Sequence, residues 1–364
     1  MTNKEFLYAY LNAYAPVAQE TEGQHVWINY VKQFTSDIKL DAYGTAYAKL
    51  EGDLPAQQLG KTHVKPYKVV IEAHCDEIAW MITQIEKEGY IRIKRHGGSD
   101  NMIAASKSVL IHTHDGKKIP GVFGWPAVHI REKYTEMSPE PHELWIDLGV
   151  DSDEKVREMG VEVGNIVTFD DQFGELGDYY IGRSLDNKIG GYIIAEALRV
   201  IKDRGIKLPY DLYVVNSVQE EVGLFGARLI AKKLQADIAL VHDVCHNTSH
   251  PKMNKAKDCD TTGGEGPCLE YTSQNHRKIL KLFKDVAKEK EIKIQHTVGS
   301  YGNDTVSFFL ENTPTAILAT PLKYMHTTVE MAHKQDIESC INLFVETLKA
   351  ITPEWIEDVK NPKI

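Results

Sequence analysis

Two adjacent carboxylates, Glu220 and Glu221, stand in the stretch Ser217-Val218-Gln219-Glu220-Glu221-Val222-Gly223-Leu224-Phe225-Gly226. Such a pair is costly to desolvate unless a cation or a proton compensates it. Consecutive side chains leave the backbone in different directions, so one glutamate can hold a cation while its neighbour moves a proton. Residue types that bind metals recur elsewhere. His74 and Asp76 form a His-x-Asp spacing, and in extended chain residues two apart share a face. One can then bind metal while the other orients it. Asp186 lies in Gly182-Arg183-Ser184-Leu185-Asp186-Asn187-Lys188, Asp243 follows Ile238-Ala239-Leu240-Val241-His242, and His326 lies in Tyr324-Met325-His326-Thr327-Thr328-Val329-Glu330. Taken singly, each has a plain account: a solvated acidic turn for the glutamates, a helix cap for Asp186, incidental residues for the others. Asp76 apart as the orienting group, together they are two His, two Asp and two Glu, the donor mixture that suits paired divalent ions about 3.5–4 Å apart bridged by a carboxylate. A remaining glutamate can take a proton from water and pass it to a leaving amine. The chemistry indicated is metal-assisted hydrolysis.

These residues share a position in the expected elements. Leu212 to Val218 is apolar and β-branched and reads as a buried strand, with a helix from Leu224 to Leu234 after it. Val69-Val70-Ile71 is a short strand ending at Glu72-Ala73-His74. Ile238 to His242 and Ala316 to Ala319 read as strands, and Ile189 to Ile201 as a helix in which Gly190 and Gly191 permit close packing. The candidates thus sit at strand ends of one α/β layer, where open sheets put their chemistry. Two helices are expected within residues 3–36, a long loop over 245–267, and further elements at His276 to Lys288, Ile292 to His296, Asp304 to Leu310 and Gln335 to Ile351.

The texture changes from about 78 to 177. Short alternating segments flank the turn signals Glu86-Lys87-Glu88-Gly89 and His114-Asp115-Gly116, giving hairpins Ile78 to Ile85 with Tyr90 to Lys94 and Val109 to Thr113 with Ile119 to Phe123. Leu144 to Leu148 and Asn165 to Phe169 add strands, and Asp153 to Met159 a short helix. The expected organisation is a discontinuous α/β domain, 1–77 and 178–364, with a β domain inserted at 78–177.

Composition narrows the class. The chain has 364 residues, with 42 Lys and Arg against 52 Asp and Glu, a net charge of −10 that argues against nucleic acid or an anionic membrane as partner. No stretch is apolar enough to span a bilayer, and the N-terminus lacks the apolar core of a signal peptide. Five cysteines, none in a Cys-x-x-Cys pair, fit a reduced cytoplasmic setting.

The set Ala73-His74-Cys75-Asp76-Glu77-Ile78, Leu185-Asp186-Asn187-Lys188, Gln219-Glu220-Glu221-Val222-Gly223-Leu224, Asp243-Val244 and Tyr324-x-His326-Thr327-x-x-Glu330 closely resembles the tetrahedral aminopeptidases. These are di-metal exopeptidases, often labelled glutamyl aminopeptidase or endoglucanase-like. The likeness runs from about Val69 to Leu348, and Gly121-Val122-Phe123-Gly124 with His129 and Trp145-Ile146-Asp147-Leu148-Gly149 resemble the family's inserted β domain. The resemblance implies an α/β fold with a mixed central sheet flanked by helices and a small β-barrel-like insert. It implies His74 and His326 as terminal ligands of two metal ions, zinc first, with cobalt and manganese compatible. Asp186 would bridge the ions, Glu221 and Asp243 complete one site each, Glu220 act as general base on a metal-bridged water, and Asp76 support His74. It also implies a cis peptide at Asp186–Asn187, short peptide substrates, and assembly through the insert into a tetrahedral homo-dodecamer. Gly302-Asn303-Asp304 resembles a Gly-Thr-Asp turn of the family and puts Asp304 among the substrate-binding candidates. Ala79-Trp80 departs from the family's usual Gly-Phe, and His242 stands where an apolar residue is usual; it is read as incidental.

Other readings weigh less. A glycoside hydrolase with Glu220 and Glu221 as its pair needs carboxyls about 5–9.5 Å apart on opposing sides of a sugar bond, which neighbours in one chain supply poorly. A non-catalytic metal-binding homologue would have lost a ligand or the free glutamate, and none is missing. His112 and His114 are read as surface residues, Cys75 and Cys245 as packing groups, and Lys252, Lys255 and Lys257 as a solvated loop face.

Overall fold

The computed structural model describes residues 1–53, 66–131, 138–299 and 302–361. In chain order its strands are β1 (Ile38–Leu40), β2 (Ala46–Leu50), β3 (Lys68–His74), β4 (Ala79–Ile85), β5 (Ile91–His96), β6 (Ser108–His112), β7 (Lys118–Phe123), β8 (Trp145–Asp147), β9 (Ile166–Phe169), β10 (Gly174–Leu176), β11 (Tyr179–Gly182), β12 (Asp211–Ser217), β13 (Ile238–His246), β14 (Cys268–Tyr271), β15 (Gln295–Val298), β16 (Thr315–Lys323) and β17 (Glu330–His333). The central sheet runs β1-β2-β12-β3-β13-β16-β17-β11-β10, with β14 pairing β15 and β16. Its middle, β12-β3-β13-β16, is parallel, and its flanks are antiparallel. The expected mixed sheet flanked by helices is therefore present.

The middle strands are apolar throughout because both faces are covered. Val69, Ile71, Leu212, Val214, Ile238, Leu240, Ala316 and Leu318 belong to one core, with helices Asn3–Asn12, Thr21–Val31, Leu185–Asp203, Arg277–Glu289 and Lys334–Ala350. The alternate residues Val70, Val215, Ala239, Val241 and Ile317 belong to the other, against Ile230, Ala231 and Leu234 of helix Phe225–Leu234 and Phe308 of helix Thr305–Leu310.

Between β3 and β10 the chain forms a separate closed barrel, β4-β5-β8-β7-β6-β9. It has its own core, in which Trp80 meets Phe123 edge-on with ring centroids 5.5 Å apart. Trp80 is fully buried there.

Boundaries differ in places. β13 extends to His246, so Asp243 lies inside a strand and not at its end, and the expected 245–267 loop holds a short helix, Lys255–Asp258. Pairing with β16 as far as His246↔Leu322 draws this polar stretch into the sheet. Strands β1, β2, β10, β11, β14 and β17 carried no clear apolar alternation in the sequence. His112 corrects the surface reading: it is buried, with Nε2 2.8 Å from Thr168 Oγ1, whereas His114 is exposed.

Candidate active site

Parallel register brings the candidates together. β12 pairs β3 with Ser217 opposite His74, so the Glu220–Glu221 turn emerges beside the histidine. β13 supplies Asp243, opposite Ala319 of β16, and the turn after β16 supplies His326. Asp186 comes from a non-helical kink in the first turn of helix Leu185–Asp203, and the Asp186–Asn187 peptide is cis, as the resemblance implied. Gly190 is needed one turn on, because a Cβ there would collide with Asn187 Oδ1 and His242 Nδ1.

The side chains converge on one cavity of about 590 Å³. Asp186 faces a different imidazole with each oxygen: Oδ1 is 3.4 Å from His74 Nε2, and Oδ2 is 3.3 Å from His326 Nε2. Asp243 Oδ1 lies 3.8 Å from His74 Nε2, and Glu221 Oε1 lies 3.3 Å from His326 Nε2. Glu220 Oε2 is 4.0 Å from His74 Nε2. All of these sequence candidates are thus brought together. Asp304 is the exception: Gly302 and Asn303 line the cavity, while Asp304 is buried behind it and accepts a hydrogen bond from Ser217 Oγ at 3.0 Å. Burial pushes its carboxyl up to about 6, against a hydrogen bond with Glu72.

Supporting residues fix the set. Asp76 accepts hydrogen bonds from the backbone N–H of Glu220 and Glu221, and its Oδ1 is 3.5 Å from His74 Nδ1. Glu330 accepts from His326 N–H at 2.7 Å and Asp186 N–H at 3.1 Å. The first of these bonds braces His326, whose backbone has φ +61°. From the barrel side, Gly98 places its carbonyl 3.2 Å from His326 Nδ1. With Nδ1–H donating there, Nε2 is the atom turned toward Asp186 and Glu221. His242 corrects the incidental reading. It is buried, with Nδ1 3.0 Å from Asn187 Oδ1 and Nε2 2.9 Å from Thr320 Oγ1, so it fixes the residue that follows Asp186. Burial, reinforced by the charge of His74, holds its ring down to about 3. Its position before Asp243 was the only signal for this role.

The electrostatics are those of crowded acids around two imidazoles. Burial works against charge on His326, but Asp186 and Glu221 outweigh it and raise the ring to about 12. His74 is likewise held high by Asp186, Asp243 and Asp76 against its burial. Burial raises Glu221 and Asp243, only partly offset by the histidines, whereas His326 and His74 outweigh burial at Asp186 and hold it low.

A divalent cation fits this set. Oxygen and imidazole nitrogen are the donors zinc and its neighbours accept. Atoms of His74, Asp186 and Glu221 lie within 4.8 Å of one another. Among the described residues no Lys or Arg lines the cavity, so the carboxylates of Asp186, Glu220, Glu221 and Asp243 outnumber the imidazoles of His74 and His326 that face them. Cys75 and Cys245 are buried in apolar clusters, consistent with packing.

The chain is similar to known aminopeptidases over most of its length. The family model for M42 glutamyl aminopeptidase matches residues 56–343. A lysyl aminopeptidase of Pyrococcus furiosus is 28% identical over 334 residues, covering 90% of each chain. The structure of an aminopeptidase from the archaeon Desulfurococcus kamchatkensis superposes with a TM-score of 0.89 at 28% identity, covering 99% of this chain and 98% of the other. The Pyrococcus horikoshii TET1 peptidase, described as assembling into a tetrahedron or a large octahedral shell, gives 0.83 at 27% identity over 95% and 98%.

Proposed function

Because the chain belongs to the M42 glutamyl aminopeptidase family, we propose that it removes N-terminal residues from short peptides with two divalent metal ions and with Glu220 as the proton-transfer group. The observation that carries this reading is the Asp186 carboxylate, which turns one oxygen to His74 and the other to His326. That arrangement suits a ligand shared between two ions, with His74 and Asp243 holding one and His326 and Glu221 the other. When bound, the ions supply Lewis acidity to the scissile carbonyl and lower the pKa of an attacking water; zinc is the leading choice, and cobalt or manganese suit the same donors.

The remaining work falls to the chain's own groups. Glu220 faces the same space but is left over once each ion has a histidine, a carboxylate and the shared aspartate. Its backbone is tied to Asp76, which fixes where its carboxylate points. Burial drives the Glu220 carboxyl well above the usual carboxylate range, more than His74 beside it restrains, with Asp304, Asp243 and Glu221 adding to the rise. A carboxylate with raised proton affinity takes a proton from the attacking water and delivers it to the departing amine nitrogen. Assembly of copies through the barrel into a closed homo-dodecamer, admitting only short peptides, belongs to the same proposal and is supported by likeness to the TET1 peptidase. A cytoplasmic setting is supported by the five free cysteines.

The test is turnover of a panel of aminoacyl-arylamides, with and without chelator, by the wild type and Glu220→Gln. Chelation abolishes wild-type cleavage and added zinc, cobalt or manganese restores it. Glu220→Gln retains two ions per chain by elemental analysis but loses about 10²–10⁴-fold in kcat. Failure of the metal-loaded wild type to cleave any arylamide, or undiminished turnover by the variant, removes the reading.

A further inference from the structure

The cavity carries one acidic group that the hydrolytic scheme leaves unused. Glu270 lies on β14, whose side chains alternate: Leu269 points into the helix-packed core, while Glu270 lines the cavity. It is 7% exposed, and its Oε1 lies 3.3 Å from Asn303 Nδ2. Gly299 backs it so closely that a Cβ there would collide with Oε1, which leaves the carboxylate little room to turn away. Burial, with Asp243 adding, raises its carboxyl to about 7, and Asn303 restrains the rise. A cation brought into the cavity therefore gains a partner whose charge is otherwise poorly compensated.

The rest of the wall fits a particular cation. Leu224, Val244 and Met325 line the same cavity and offer apolar surface. Among the described residues no Lys or Arg lines it, and the imidazoles of His74 and His326 are already engaged by Asp186, Asp243 and Glu221, so an acidic side chain finds no unengaged cation on the described protein wall. Burial holds His246, also in the wall, below its ordinary value. A lysyl or arginyl side chain has this mixed character, an apolar stem with a positive tip.

Resting on the aminopeptidase reading above, we infer that the cavity selects peptides whose first residue is basic, with Glu270 receiving the side-chain cation and Leu224, Val244 and Met325 packing its stem. The α-ammonium of the peptide offers the same chemistry from a different source, so the test separates the two.

The experiment compares kcat/KM for the arylamides of lysine, arginine, norleucine, leucine and glutamate, using zinc-loaded wild type and Glu270→Gln. Norleucine keeps the stem of lysine and lacks its charge. The wild type is expected to prefer lysine and arginine to norleucine and glutamate, by about 30-fold or more for a desolvated ion pair. Glu270→Gln is expected to erase that preference while turnover of norleucine and leucine is kept or raised. Equal wild-type rates on lysine and norleucine overturn the inference, and this arm needs no variant. An equal loss on every substrate in Glu270→Gln also overturns it, since Glu270 would then serve the α-ammonium or the fold. If the wild type cleaves nothing, the aminopeptidase reading itself fails; cleavage without charge preference removes only the selectivity.

Discussion

Asp76 uses both carboxylate oxygens at once, taking the Glu220 N–H at 3.0 Å on Oδ1 and the Glu221 N–H at 3.1 Å on Oδ2. Since Oδ1 also lies 3.5 Å from His74 Nδ1, one side chain sets the position of three groups around the cavity. Asp76→Asn exchanges an acceptor oxygen for an NH₂ that faces a backbone donor. We expect a loss of about 10–100-fold in metal affinity or kcat, read by titration in metal buffers and by steady-state rates; both values at wild-type level would remove Asp76 from this role. Much at this scale was legible beforehand. Adjacent glutamates, a His-x-Asp pair and an aspartate before a helix are unusual enough in combination to mark the candidate site. Glu270, His242 and Gly98 were not legible, because their parts depend on which strand or loop lies opposite, and no local spacing encodes that. Asp304 went the other way. It shares a turn with Gly302 and Asn303, but its side chain turns inward to Ser217.

At the scale of elements, a buried ion cluster ties three segments to one another. Glu77, just after β3, accepts the Ala15 N–H at 2.8 Å and is approached by Lys188 Nζ at 3.2 Å, while the Arg183 guanidinium bonds its other oxygen. Lys188 also donates to Ala13 O, so the segment after the first helix is held against helix Leu185–Asp203. Burial alone would raise Glu77, but Arg183 and Lys188 outweigh it and hold the carboxyl at about 2, below its ordinary 4.5. A depressed folded-state value means that the stability contributed is complete above about pH 4.5 and is lost as pH falls toward 2. Glu77→Gln is expected to cost about 3–5 kcal/mol at pH 7, since it leaves two buried cations without their partner. In urea unfolding, the gap between variant and wild type should narrow as pH falls through that window; a gap constant with pH would contradict the assignment. The strands flanking this cluster were readable because burial on both faces makes them continuously apolar. The edge strands were not, since short half-exposed segments such as Ile38–Leu40 carry no periodic signal.

For the molecule as a whole, the barrel and the α/β body meet at the site. The barrel's hairpins and turns announced themselves in the sequence, but its reach into the cavity did not. Gly98, following β5, gives its carbonyl to His326 Nδ1, and a Cβ there would collide with the same ring. Its backbone does not lie in the left-handed region, so space and not conformation demands glycine. Gly98→Ala should displace His326 and lower kcat/KM by about 100-fold, the cost of a misplacement near 1 Å. The urea midpoint should hardly move, and an unchanged kcat/KM would show that the barrel does not set the ring's position.

The spread of the site along the chain has a consequence for the cell that makes it. His74 is synthesised long before His326, and the two meet only once β3, β12, β13 and β16 lie side by side. At roughly 5–20 residues per second, translation delivers His326 roughly 13–50 s after His74. Over that interval the growing chain holds only part of the candidate site. The candidate site can therefore assemble only once the segment through His326 has left the ribosome.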